Sequence, residues 1–220
     1  MRRDAERNRQ RIIAAAHEVF RERGLSATLD DIARHAGVGV GTAYRRFANK
    51  EELIDALFED MIDTVEAIAA EAAADPDPWH GFATSLEKVC EVQAFDRGLR
   101  EVMLGTGRGP QRQAQMLGRI KPLIDGLIDR AKEQGALRPD VQPWDLPMIQ
   151  IMVAAVTDKT GHPDLWRRYL HLLLDGLRAQ PGATEPMPDI SFGDDRLIDS
   201  VSASTVREIG ERPSGDSIST

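Results

Sequence analysis

The stretch "SATLDDIARHAGVGVGTAYRRF" (Ser26–Phe47) packs Gly37, Gly39 and Gly41 into five residues and then turns aromatic and basic. Two readings compete. The glycines could cradle a nucleotide phosphate, or they could shape a turn whose partner is the phosphate of a nucleic-acid backbone. A dinucleotide loop needs a preceding strand, and "LDDIARHA" has helical spacing instead. A P-loop needs Gly followed by Lys and Ser/Thr, which is missing here. "GTGRGP" (Gly105–Pro110) fails the same test and reads as an inter-helix loop.

The spacing on either side supports the turn. Thr28 followed by Asp31 has the form of a helix N-cap, and Leu29, Ile32, Ala33 and Ala36 then share one face. Gly37 suits a left-handed helix end, and Val38 is an apolar plug. Gly39, Gly41, Thr42 and Ala43 keep the next short helix slim enough to approach bases and phosphates. Phe47 anchors its far end while Tyr44, Arg45 and Arg46 point outward. Two short helices around a glycine turn make a helix-turn-helix, whose second helix enters the major groove.

Helical periodicity continues in both directions. A first helix is predicted over about residues 4–23, with Ile13, Ala16, Val19 and Phe20 buried and Gly24 as its stop. "ANKEEL" restarts a helix with Asn49 as cap and Glu52 in the capping-box position. Ile54, Leu57, Phe58, Met61, Ile62 and Val65 carry it to about residue 73. "DPDPW" (Asp75–Trp79) breaks it. Further helices are predicted near 79–94, 96–104, 110–134, 143–158 and 164–179. The fold expected is all-α, with about nine helices. Its parts are a DNA-binding head (1–49), a helical domain (50–180), and a Pro-, Gly- and Ser-rich tail (181–220), mostly disordered, with a short helix near 196–209.

Charge is distributed to match. The 220 residues carry a formal net charge of −8, which by itself argues against a nucleic-acid binder. Residues 1–50, however, hold 11 Lys+Arg against 6 Asp+Glu, so a basic head sits on an acidic body. Arg2, Arg3, Arg7, Arg9 and Arg11 read either as a solvated face or as an arm reaching phosphate. The longest unbroken apolar run, Ile151–Val156, is far short of the ~20 residues that span a bilayer, and no signal-peptide pattern opens the chain, so a cytoplasmic protein is expected. A single cysteine, Cys90, excludes an intrachain disulfide and reads as a small buried hydrophobe. His80, His162 and His171 show no metal-ligand spacing, so no metal or cofactor is expected. No catalytic order of residues is readable either, and the chain is expected not to be an enzyme.

"TLDDIARHAGVGVGTAYRRFANKEELIDAL" (Thr28–Leu57) resembles the DNA-binding signature of the TetR family of bacterial regulators, and the likeness runs from about Arg9 to Phe58. It rests on the capping Thr, the I-A-x-x-A-G-V turn, G-T-x-Y, the Phe and N-K-E-x-L. Beyond it the chain resembles the family in layout. "WRRYLHLLLDGLRA" is similar to the final helix of an actinobacterial-type subgroup. The resemblance implies a DNA-binding transcriptional regulator, most commonly a homodimeric repressor released from a palindromic operator by a small-molecule effector. A helical interaction module or an enzyme retaining such a head is the alternative. Thr28, Tyr44 and Lys50 match backbone-contacting positions. Val40, Gly41, Thr42 and Arg45 match positions near base edges, and Arg46 matches both kinds. Gly39 stands where the family often has a capping Ser.

Two apolar sets lie beyond the head, on the central and final helices. Trp79, Phe82, Met103, Met116, Ile120, Trp144, Met148 and Met152 read singly as core and together as an adaptable ligand lining, with Arg100, Glu101, Gln115, Arg119 and Asp158 as polar handles. The last two helices carry more apolar surface than one packing face needs. By the family layout, Met152, Val156, Leu165, Trp166, Tyr169, Leu170, Leu173 and Leu177 are expected at a dimer interface.

Overall fold

The computed structural model describes residues 2–94, 109–180 and 185–188. Eight α-helices occur among them: α1 Arg2–Arg23, α2 Leu29–His35, α3 Val40–Tyr44, α4 Lys50–Ala74, α5 Pro78–Ala94, α6 Gly109–Glu133, α7 Asp145–Thr160 and α8 Leu165–Leu177. The helices expected near 96–104 and 196–209 lie outside the described residues. The one pairing of extended backbone among them is an isolated bridge between Leu137 and Arg178.

Two apolar cores organise the chain. The first joins α1, α2, α3 and the N-terminal two-thirds of α4 around Ile12, Phe20, Ile32, Leu53, Ile54 and Leu57, with Ile120 of α6 reaching in. All four residues expected on the buried stripe of α1 are in it. The second joins α5, α6, α7 and α8 around Phe82, Cys90, Ile128, Val153, Trp166 and Leu170. Ile124 touches both cores. Burial of these side chains, at about 1.5–3 kcal/mol for each large one, is the main term holding each unit together.

The sharp turn from α4 into α5 depends on Gly81. A Cβ there would sit 2.5 Å from the Ala72 carbonyl oxygen, so the two helices meet backbone to side-chain-free backbone. Arg130 of α6 closes the same corner. Its guanidinium donates to the carbonyls of Ala72 (3.2 Å), Ala73 (3.0 Å) and Asp75, adding to the Asp75 amide that already donates to Ala72 at the end of α4.

A polar seam runs along α4 and α6. Arg112 donates to Asp55 (2.9 and 2.8 Å) and Glu51 (2.8 Å). Gln115 donates to Glu59. Arg119 donates to Glu59 (2.9 Å), Asp63 (2.8 Å) and Glu66 (2.8 and 2.6 Å). Gln115 and Arg119, expected as polar handles of a cavity, are therefore engaged with α4. The reason is register: acids at 51, 55, 59, 63 and 66 repeat at helical spacing, as do 112, 115 and 119 on α6, which runs parallel to α4.

The structure also redistributes the apolar residues of the last two helices. Trp166, Leu170 and Leu177, expected on an outer face, are buried in the protomer's own second core. A side chain fully covered from within has no surface left for a second copy. Leu165 and Leu173 are half-buried. Ile151, Met152, Tyr169 and Leu172 are exposed, with Leu172 at 58%. On α8, Leu165, Tyr169, Leu172 and Gly176 follow one another at 4-, 3- and 4-residue steps, which is a single helix stripe.

Candidate DNA-binding interface

The head is built by local caps. The Thr28 hydroxyl accepts from the Asp31 amide (3.2 Å), and the Asp31 carboxylate accepts from the Thr28 amide (3.0 Å) and hydroxyl (2.5 Å). These bonds, first the hydroxyl and then the amide, hold the Asp31 carboxyl below its ordinary pKa. Gly37, at φ +63°, ends the α2 segment in the left-handed region. Arg11 of α1 donates to the carbonyls of Ala36 (2.7 Å) and Gly37 (3.4 Å). It is thus a C-terminal cap of α2 rather than part of an arm. Val38 packs on the first core.

The recognition helix α3 is five residues long and starts on Gly39 without a side-chain cap. Ala43 is buried and Phe47, just beyond, is also buried. These two fix which face turns outward. Val40, Gly41, Tyr44, Arg45 and Arg46 are exposed, and Thr42 is half-buried. Arg45 and Arg46 follow the last helical residue, so they leave from the turn. The Arg45 guanidinium donates to the Thr42 hydroxyl (3.1 Å), which pre-positions one planar fork beside the helix. The Asp30 carboxylate on α2 pairs with the Tyr44 phenol and pushes its pKa up, so the phenol stays neutral at physiological pH.

A cleft lined by Asp4, Ala5, Asn8, Thr42, Arg45 and Arg46 separates the first turns of α1 from the outer edge of α3. Asp4 and Asn8 were not singled out as site residues in the sequence. Their place beside α3 comes from the crossing of α1 over the pair, which no local pattern encodes. Lys50 opens α4. Its ammonium lies 5.4 Å from the centre of the Phe20 ring, and burial lowers its pKa. Asn49 caps α4 by accepting from the Glu52 amide (2.9 Å), but Glu52 returns its bond to the Ala48 amide (2.8 Å) rather than to Asn49.

Of the residues read as a ligand lining, Phe82 is in the second core and Ile120 in the first. Trp79, Trp144 and Met148 are half-buried, and Met152 is exposed. Trp79 packs on Phe82 with ring centres 6.0 Å apart and lies under the Arg178 guanidinium at 5.1 Å. Met103 lies outside the described residues, as do Arg100 and Glu101; Met116 is placed on α6 by its backbone. Cys90 is buried, and burial pushes its thiol pKa up to about 12, which leaves no thiolate for chemistry. Among the described residues no group of three or more His, Cys, Asp or Glu side chains is arranged to hold a metal ion, and no helix is long and apolar enough to cross a membrane.

Comparison with known proteins places both parts. Residues 12–57 match the family described as bacterial regulatory proteins, tetR family, and residues 77–179 match the C-terminal domain of SbtR-like transcriptional regulators. An uncharacterised HTH-type transcriptional regulator of Bacillus subtilis, YhgD, is 28% identical over 173 residues, covering 74% of this chain and 91% of that one. A TetR transcriptional regulator from Streptomyces coelicolor is 29% identical, with a TM-score of 0.60, covering 78% of this chain and 99% of that one. A TetR regulatory protein from Mycobacterium vanbaalenii is 28% identical, with a TM-score of 0.59, covering 80% of this chain and 98% of that one. A capped helix-turn-helix presenting Thr42, Arg45 and Arg46, joined by a long helix to an all-helical second domain, and matched in both parts, makes this chain a member of the TetR family of DNA-binding transcriptional regulators.

Proposed function

We propose that the chain acts as a homodimeric repressor that leaves a palindromic operator when a small molecule binds its C-terminal domain. The observation that carries the reading is the exposed edge of α3. Thr42, Arg45 and Arg46 face outward together while Ala43 and Phe47 hold the helix to the core. Arg45 is the residue best suited to a bidentate guanine contact, worth ~1–3 kcal/mol of discrimination. Val40 and Gly41 leave room at the base edges, and Thr28, Tyr44 and Lys50 serve the phosphates. A bound phosphate would also offset the burial that lowers the pKa of the Lys50 ammonium.

Dimerisation supplies the symmetry. Exposed Tyr169 and Leu172 on α8, in one stripe with half-buried Leu165, and exposed Ile151 and Met152 on α7 beside half-buried Val156, fit a two-helix face repeated by a second copy. Two heads then sit in successive major grooves about 34 Å apart. The effector works by differential affinity for two arrangements of the heads, and α4 with its seam to α6 is the link that carries the difference. Such a protein acts in the cytoplasm, on double-stranded DNA, with no catalysis.

The test is binding to duplexes drawn from the region around its own gene. Affinity should fall steeply with salt. Arg45→Ala should flatten base preference, whereas Lys50→Ala should weaken all duplexes alike. Equal loss of specificity in both variants, or salt-independent binding, overturns the assignment of the interface.

A further inference from the structure

Beyond residue 179, where the family match ends, the chain does not simply leave the domain. Glu185–Pro188 returns to the link between α6 and α7. Arg138 and Asp140 on that link form a bidentate pair, with Nε to Oδ1 at 2.9 Å and Nη2 to Oδ2 at 2.7 Å. Each partner has capacity left over. Arg138 Nη2 also donates to the Glu185 carbonyl at 2.9 Å, and Asp140 Oδ2 accepts from the Met187 amide at 2.8 Å. The Met187 side chain is half-buried and packs on the second core. The clamp is itself held in place. The Arg138 amide donates to the Leu177 carbonyl (3.0 Å), and the Ala179 amide donates to the Ala136 carbonyl (3.0 Å), so the end of α8 and the link move together.

The sequence of the segment fits the clamp. Pro186 and Pro188 have no N–H, so Met187 carries the only backbone donor of the three residues, and that donor is the one the carboxylate accepts. Proline on both sides also narrows the conformations of the undocked segment, which lowers the entropy lost on docking. The Asp140 carboxyl is held far below its ordinary pKa, first by the Arg138 guanidinium and then by the Met187 amide, so it is ionised and accepting at any physiological pH.

The site lies at the end of the molecule remote from the head. Arg112, early in α6, pairs with Glu51 at the start of α4, while Arg130, late in α6, caps the other end of α4. Arg138 follows Arg130 on that far side, where Trp79 lies under Arg178.

We propose that Arg138, Asp140 and the adjoining edge of the second core form an intramolecular docking site for Pro186-Met187-Pro188, and that this segment is a detachable cover over the far end of the C-terminal domain. The cover is independent of which operator or effector the protein uses. It is tested on the full-length chain by amide hydrogen exchange and by binding of the apolar dye 1-anilinonaphthalene-8-sulfonate. A hydrogen bond to a charged acceptor slows exchange by about tenfold or more, so the Met187 amide should exchange at least that much slower than in a free peptide of residues 181–192. Asp140→Ala should abolish the slowing. A variant that leaves the clamp intact, Pro186→Gly with Met187→Ser and Pro188→Gly, should bind the dye severalfold more strongly at unchanged helix content. Free-peptide exchange at Met187 in the unmodified protein overturns the docking site. Slow exchange with no gain in dye binding by the triple variant overturns the cover.

Discussion

In the head, α2 and α4 start on side chains close by in sequence, Thr28 with Asp31 and Asn49 with Glu52. In the second domain, Asp77 caps α5 by accepting from the Trp79 and His80 amides (2.9 and 3.1 Å), but α7 and α8, which carry much of the core, begin after Trp144 and Asp164 with no side-chain cap. The difference separates two ways of specifying structure. The head is determined by short-range chemistry that holds a small motif rigid enough to read DNA. The second domain is determined by packing, with Trp166, Leu170 and Leu174 of α8 buried against α5 and α7. Packing-specified cores tolerate repacking.

The contrast can be broken most forcefully at Trp166. Trp166→Ala removes a fully buried ring from the second core and is expected to cost about 3–5 kcal/mol, read by denaturant unfolding. The head, with its own core and caps, should keep its helicity under conditions where α7 and α8 have melted. Simultaneous loss of every helix would show that the two cores are one cooperative unit.

Gly37→Ala attacks the head's local chemistry instead. It forces a side chain into φ +63° and brings a Cβ to 3.1 Å from Arg11 Nη2, the group that caps α2. A loss of about 1–2 kcal/mol is expected. DNA affinity should fall further than stability alone explains, because the turn sets the angle of α3. A smaller effect, of opposite sign, is expected at Gly39. A Cβ there meets nothing closer than the Thr42 hydroxyl at 3.7 Å, so Gly39→Ser should fit and add the missing cap. The gain in thermal stability should be a few tenths of a kcal/mol.

The smallest effect is one of pH, at the corner between the two regions. The His80 Nδ1 atom lies 2.6 Å from Asp75 Oδ2, and this bond followed by the carboxylate's charge raises the histidine pKa above 6.5. A raised pKa contributes stability that is complete below 6.5 and disappears as pH climbs through the folded value. Asp75, lowered first by His80 and then by the Asp77 amide, contributes in the opposite sense, losing its share as pH falls below 3.8. The melting-temperature gap between the unmodified protein and His80→Asn should therefore narrow from about pH 6 to about pH 9. A constant gap would show that the histidine acts there by shape alone.

What was legible in the sequence follows the same divide. The glycine turn, the Thr28 box, the Asn49 cap, the outward Tyr44, Arg45 and Arg46 and the inward Phe47 could all be read from residues at most four apart. Arg11 could not. In sequence it is one more basic residue near the N-terminus, and its role as a cap exists because α1 crosses the end of α2, 25 residues on. Leu165 and Trp166, adjacent in sequence and equally apolar, face different ways, and periodicity alone did not say which stripe of α8 meets its own protomer. The seam of α4 with α6 was likewise hidden in charges that look like two solvated faces.

The sequence by itself determined the class of the protein: an all-helical chain whose basic head carries a helix-turn-helix. The reason is that caps, turns and periodicity act between near neighbours. Only the tertiary structure decided the rest. It turned Trp166 inward and Leu172 outward, paired Arg112 and Arg119 with α4, and brought Glu185–Pro188 back onto Arg138 and Asp140. Each of those outcomes depends on which helix lies against which, and that is settled by burying the most apolar surface while every buried charge still finds a partner.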